Sequence, residues 1–137
     1  MSDYNRVMRF VLILLCALAA ATVPSSSKPM SGSWLLELCT SDNLAYGSYC
    51  DGFIGGFEQG LVVGNADTAG AVGIDVSNPF TLEKARRMVL GFCVPNGVTI
   101  KQKVDAVVQY LQANGGEQYR EADKLIIEAF KEAFPCK

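Results

Sequence analysis

Cysteine content is the feature that most constrains how this chain can fold. Four cysteines follow the N-terminal apolar segment, at Cys39, Cys50, Cys93 and Cys136. An even number of cysteines behind an export-type leader indicates a disulfide framework formed in an oxidising compartment. Four cysteines allow three pairings, of which we favour Cys39–Cys50 and Cys93–Cys136. The chain has no Cys-x-x-Cys motif, so structural cross-links are favoured over a redox site.

The N-terminal segment predicts a cleavable signal peptide over residues 1–21. A weakly basic start precedes an uncharged apolar run from Phe10 to Val23. This run is shorter than the roughly 20 apolar residues that a membrane-spanning helix needs, and Ala19 to Ala21 supply a signal-peptidase site. An uncleaved N-terminal anchor is the alternative. We expect no membrane span in the mature protein, with a flexible Ser/Pro-rich tether over 22–32 and one domain over 33–137.

Composition excludes several classes of function. Histidine is absent, which removes the commonest general base and the commonest metal ligand. The cysteine spacings do not match a Cys₄ zinc site. The net charge is −2, with no basic stripe, which disfavours nucleic acid as a partner. We therefore expect no enzymatic activity, no metal, no cofactor and no nucleic acid.

Helical periodicity and capping residues predict an all-α fold, a compact bundle of about four to five short helices stapled by two disulfides. The first helix follows Ser33 as N-cap and buries Trp34, Leu35 and Leu38. A third helix follows Thr81 as N-cap and ends near Leu90. On one side of this third helix we expect the apolar residues Leu82, Ala85, Met88 and Val89, with Lys84, Arg86 and Arg87 on a solvated face.

Two further amphipathic helices close the chain. The first begins at a capping box formed by Thr99 and Gln102 and ends at Asn114. The second presents an apolar face to the core, formed by Ala122, Leu125, Ile126, Ala129, Phe130 and Ala133.

The second predicted helix, from Ala45 to Gly64, is rich in glycine. Gly52, Gly56 and Gly60 recur every four residues, with Phe53 and Phe57 beside them. Such a stripe lets another helix approach closely. We expect a tight helix contact, within the chain by slight preference or otherwise across a dimer. Residues 65–78 then predict an exposed loop.

The strings WLLELC, YCDGFIGGFEQG, CVPNGVT, VVQYL and EAFKEAFPC contain the four cysteines in order. With these motifs the chain resembles the Rap/Tai family of periplasmic immunity proteins, over about residues 33–136. The resemblance implies a small all-helical homodimer that protects a bacterium from a type VI secretion amidase, a peptidoglycan-cleaving effector. It implies inhibition by occlusion of the amidase cleft. The exposed loop is our first choice for toxin binding, through Asp67, Thr68, Asp75 and Asn78.

A second class of function fits the same features. Small periplasmic chaperones of the acid-stress type are also helical, exported and disulfide-bonded, and carboxylates alone would sense acid in a chain without histidine. A ligand carrier with an apolar cavity is disfavoured by the glycine stripe, which indicates close backbone packing.

Overall fold

The computed structural model describes residues 28–136, which form five α-helices and one short 3₁₀ turn. The helices are α1 (Gly32–Thr40), α2 (Leu44–Ala71), α3 (Pro79–Leu90), α4 (Ile100–Ala113) and α5 (Ala122–Ala133), with the 3₁₀ turn (Gly115–Glu117) between the last two. The all-α prediction is confirmed. The predicted signal peptide lies outside the described residues. Within 28–136 no helix combines the length and the apolar character needed to cross a bilayer.

One hydrophobic core lies between α1, α2, α4 and α5. In it the rings of Phe92 and Phe130 meet edge to face, with 5.3 Å between their centroids. The apolar face predicted for the last helix is buried, apart from Ala133. Trp34 was wrongly predicted to be buried: α1 turns Leu35 and Leu38 inward, which leaves Trp34 50% exposed. The core residues include Leu35, Leu38, Ile54, Phe92, Val104, Val107, Leu111, Leu125, Ile126, Ala129 and Phe130.

Two disulfides cross-link this bundle, in the pairing that the sequence favoured. Cys39 Sγ and Cys50 Sγ are 2.04 Å apart and join the last turn of α1 to α2. Cys93 and Cys136 join the segment after α3 to the segment after α5. The Cys93 N–H also donates to the carbonyl of Phe134 over 2.9 Å, so the backbone runs alongside the second cross-link.

The folded domain begins a little earlier than predicted. Ser31, rather than Ser33, is the N-cap of α1, and its hydroxyl accepts from the Trp34 N–H over 3.3 Å. The backbone before α1 also pairs with the connection to α5: the Gly32 N–H donates to Arg120, and the Ala122 N–H donates to Met30. These bonds hold residues 30–32 against the domain, so any tether ends before Met30.

Helix α2 is longer than predicted, because it continues through Gly64 to Ala71. Its last two turns bury Asn65 and Ala69, and α2 packs along α3 in the folded chain. Tertiary packing of one face therefore outweighs the helix-weakening effect of the interior glycines.

The glycine stripe of α2 does not form the intramolecular contact that was predicted. A Cβ atom added at Gly52, Gly56 or Gly60 would meet nothing within 4 Å among the described residues. Phe53 and Phe57 lie on the other flank of α2 and are half-buried against the core. We call the exposed residues Tyr49, Gly52, Gly56, Gly60 and Val63 the α2 outer face.

A buried ion pair joins α2 to α4. The Lys103 ammonium donates to the Glu58 carboxylate, and their side chains are 14% and 7% exposed. A charge at this depth requires its partner, because an unpaired charge would lose its hydration without compensation. The pair therefore sets the register of α2 against α4.

A polar cluster braces α4, α5 and the segment between them. The Tyr110 hydroxyl donates to Glu128 over 2.9 Å, and the Arg120 guanidinium donates to both oxygens of the same carboxylate over 2.9 and 2.6 Å. Burial and the hydrogen bond to Glu128 raise the pKa of Tyr110 to about 12. The Arg120 hydrogen bonds hold the pKa of Glu128 below its ordinary value.

Replacing Lys103 by Met removes only one member of the buried pair. We expect Lys103→Met to lower the free energy of unfolding by about 3–5 kcal/mol, because the Glu58 carboxylate stays buried without a counter-charge. The double variant Glu58→Leu/Lys103→Met removes both charges and should restore most of that loss. Urea denaturation followed by circular dichroism measures both. A loss below about 1 kcal/mol in the single variant would show that the pair is not buried in solution.

Alanine substitution distinguishes the open glycines from the packed one. Gly52→Ala should raise the free energy of unfolding of the monomer by about 0.5–1 kcal/mol, because the new methyl group meets open space in a helix interior. Gly55→Ala should gain less, since its Cβ would lie 3.2 Å from Ile100 Cδ1. Thermal or urea unfolding at low protein concentration measures both. Equal gains, or a loss at Gly52, would contradict the geometry.

Candidate functional site

The most exposed part of the described chain connects α2 to α3. Every residue from Gly70 to Phe80 is exposed. Helix α3 rests mainly on α2, with few contacts to the rest of the bundle. We call residues 64–90 the lobe, because this segment carries the end of α2, the connecting loop and α3 away from the main core. This exposure makes the lobe the candidate binding site.

The prediction that residues 65–78 form a loop is wrong in its first half. Residues 65–71 belong to α2, and the loop covers 72–78. Gly73, with φ at 83°, turns the chain where other residues would be strained. The N–H groups of Val72 and Ile74 donate back to Thr68 and Ala69, so the end of α2 is capped by its own loop.

Two of the four predicted toxin-binding residues lie on the last turns of α2. Both Asp67 and Thr68 are exposed. The Thr68 hydroxyl donates to the Gly64 carbonyl over 2.7 Å. Within the described chain, the Asp67 carboxylate has no hydrogen-bond or ion-pair partner, so it can accept from a bound protein.

The other two, Asp75 and Asn78, organise the loop itself. The Asp75 carboxylate accepts from the hydroxyl and the N–H of Ser77, over 2.5 and 3.0 Å. These hydrogen bonds, the hydroxyl first, lower the pKa of Asp75. The side chain of Asn78 accepts from the Phe80 N–H over 2.9 Å and caps α3. Both residues are exposed, yet both support the loop structure.

Helix α3 begins earlier than predicted, and Thr81 is not its N-cap. Asn78 takes that position, and Pro79 at the first helical position fits because its missing N–H has no partner there. The Thr81 hydroxyl instead contacts the carbonyls of Asp75 and Asn78. The loop is therefore held from within by Asp75, Asn78 and Thr81.

The sequence did not predict the exposed apolar residues of α3. Met88 and Val89, expected beside Leu82 and Ala85, are 77% and 68% exposed. Phe80 is also 77% exposed. Phe80, Lys84, Arg87 and Met88 recur at helical spacing on the exposed side; we call these four residues the α3 outer face. Their i, i+4, i+7 and i+8 spacing was the available signal, but mixed apolar and basic character concealed it.

Other parts of the surface offer less. A cleft of about 580 Å³ is lined by residues near Trp34 and by the Tyr119–Glu121 connection, and it is open to solvent. Residues 28–136 contain no group of three or more acidic or cysteine side chains placed to hold a metal ion. The geometry of the lobe suits contact with another protein.

Comparison with known proteins gives a family match. A family model described as Rap1a immunity proteins matches residues 31–136. Neither a curated protein nor a solved structure gives a significant match. The matched range starts at the N-cap of α1 and ends at Cys136, so it includes the whole bundle, both disulfides and the lobe. The resemblance inferred from the cysteine motifs is thus confirmed, and the chain belongs to the Rap1a immunity protein family.

Proposed function

We propose that this protein is a periplasmic immunity protein that binds a type VI secretion amidase and blocks its substrate cleft. Membership in an immunity family implies a toxin effector as partner. The observation that carries the proposal is the lobe, whose residues from Gly70 to Phe80 are all exposed. A projecting element of this kind fits a groove on another protein.

Hydrogen bonds within the lobe hold its loop in one shape. Asp75 bonds to Ser77, Asn78 caps α3, and Thr81 contacts the loop carbonyls. A preformed loop loses little conformational entropy on association, which favours tight binding. The inhibitor then needs no chemistry of its own, since a filled cleft denies access to the peptidoglycan stem.

Within the lobe, Asp67, Thr68, Asp75 and Asn78 are the proposed toxin-binding residues. Asp67 is the strongest of them, because its exposed carboxylate has no partner inside the described chain. Thr68 lies beside it and retains acceptor capacity on its hydroxyl. Asp75 and Asn78 contribute mainly by holding the loop in its bound shape.

The two disulfides support an extracytoplasmic location. Disulfides persist in compartments such as the bacterial periplasm and are rare in the cytosol. The predicted signal peptide over residues 1–21 is the proposed export signal, and it lies outside the described residues. The periplasm is also where a peptidoglycan amidase meets its substrate.

Binding to an amidase is directly measurable with oxidised protein, residues 22–137. We expect it to bind an amidase effector encoded beside its gene with a Kd in the nanomolar range or below, and to abolish cleavage of purified peptidoglycan. Asp67→Lys should weaken binding by at least about tenfold, since it reverses an exposed charge that has no partner among residues 28–136. Calorimetry and a muropeptide assay measure these effects.

Glu132 offers a matched control, because it is an exposed acidic residue on α5, outside the lobe. Glu132→Lys should leave the affinity unchanged. Failure to bind any neighbouring amidase would contradict the proposal. Suppression of acid-induced aggregation in its place would favour the chaperone alternative.

We also propose that the protein is a homodimer joined through the α2 outer face. The five residues of this face are exposed and uncharged, and its glycines leave the helix backbone accessible. A two-fold interface sets a face against its own copy, so a neutral surface avoids like-charge repulsion. Close approach of two α2 helices would cover the exposed glycines.

A lysine in the middle of the face tests the dimer. Gly56→Lys should convert the protein to a monomer, because a charged side chain would separate the two helices and face its own copy across the axis. Gly116→Lys changes an open glycine in the connection before α5 and should leave the dimer intact. Sedimentation velocity measures both. A monomeric parent protein, or a dimeric Gly56→Lys variant, would contradict this assignment.

A further inference from the structure

The α3 outer face combines exposed apolar and basic side chains on one side of a helix. Phe80 and Met88 are each 77% exposed, and Lys84 and Arg87 lie between them along the helix. Together with Glu83, three of these residues line a shallow cleft of about 330 Å³. Exposed apolar side chains interleaved with basic ones beside a cleft are a combination that suits contact with another protein.

The charge of α3 is opposite to that of the whole chain. Lys84, Arg86 and Arg87 stand against Glu83 alone on this helix, whereas the chain has a net charge of −2. Glu83 pairs with both arginines, at 3.2 Å from Arg87 and 3.9 Å from Arg86. Lys84 has no ion-pair partner among residues 28–136. The α3 outer face is therefore a basic island.

The composition of this face favours a protein surface over a lipid surface. Aromatic residues, Met and Arg are enriched at the centres of protein interfaces. Membrane affinity instead scales with the apolar area inserted, and two separated side chains on a twelve-residue helix insert little. Charge complementarity then requires an acidic partner, since Lys84 has no internal carboxylate to compensate it.

We infer that the α3 outer face docks onto an acidic patch with an apolar socket, located beside the cleft of the same amidase. This inference rests on the proposed function and extends it to the chemistry of the partner. Asp67 lies at the end of α2 and Asp75 in the loop, whereas Lys84 and Arg87 lie on α3. The lobe thus carries opposite charges on different elements. This pattern orients the lobe in the groove and rejects amidases with the reverse pattern.

The test uses the oxidised protein and a purified, catalytically inactive variant of the amidase. Phe80→Ser should raise Kd by at least about tenfold, because an exposed aromatic anchor is lost. Lys84→Glu should slow association and weaken the dependence of its rate on salt concentration, because it cancels the net positive charge of α3. Surface plasmon resonance at several salt concentrations measures both effects.

Two matched controls separate this surface from general damage. Tyr119→Ser removes an aromatic residue that is 81% exposed elsewhere on the chain, and Lys101→Glu makes the same charge change outside the lobe. Both should bind as the parent protein does.

Unchanged Kd and salt dependence in Phe80→Ser and Lys84→Glu would overturn the inference, while binding by the parent protein would leave the proposed function standing. No binding by the parent protein would overturn both. Phosphatidylglycerol vesicles provide the second probe: vesicle binding that the same substitutions abolish, with amidase binding unaltered, would assign the face to a membrane and overturn the inference.

Discussion

The exposed lobe extends from a core that two disulfides cross-link. Cys50 ties the early part of α2 to α1, and Cys93 ties the segment that follows α3 to the chain end. Disulfides limit the conformational freedom of the unfolded chain, to an extent that grows with the size of the loop they close. Neither closed loop, 39–50 or 93–136, contains the lobe, so the cross-links stabilise the core from which the lobe extends and not the lobe itself.

Internal hydrogen bonds hold the lobe together. The lobe buries only a few residues, among them Asn65, Ala69 and Ala85, so apolar burial alone contributes little to its order. Asn78 and the backbone of Val72 cap the two facing helix ends, and Asp75 holds the turn between them. The same side chains that could contact a toxin are thus largely occupied in shaping the surface that would meet it.

Much of the fold was predictable because its signals are local. The capping box of Thr99 and Gln102 is present as predicted, and the favoured one of the three cysteine pairings is the one observed. The end of α2 was not predictable in this way, since residues 65–71 combine polar residues and glycine with a buried face that only α3 creates. The slight preference for a glycine contact within the chain failed for a related reason: periodicity shows that residues share a face, but not whether that face meets the core. Met88 and Val89 follow the same rule, because α3 packs mainly on α2.

The α2 outer face and helix α3 lie on opposite sides of α2, so the two proposed interfaces can operate together. One turn of an α-helix takes 3.6 residues, so Gly52, Gly56 and Val63 point away from the side that buries Ile54, Glu58 and Asn65. Helix α3 packs on that buried side of α2. A second copy on the α2 outer face would leave the α3 outer face exposed. A dimer of this arrangement presents two lobes facing away from the two-fold seam, and each lobe is free to enter the cleft of a separate amidase.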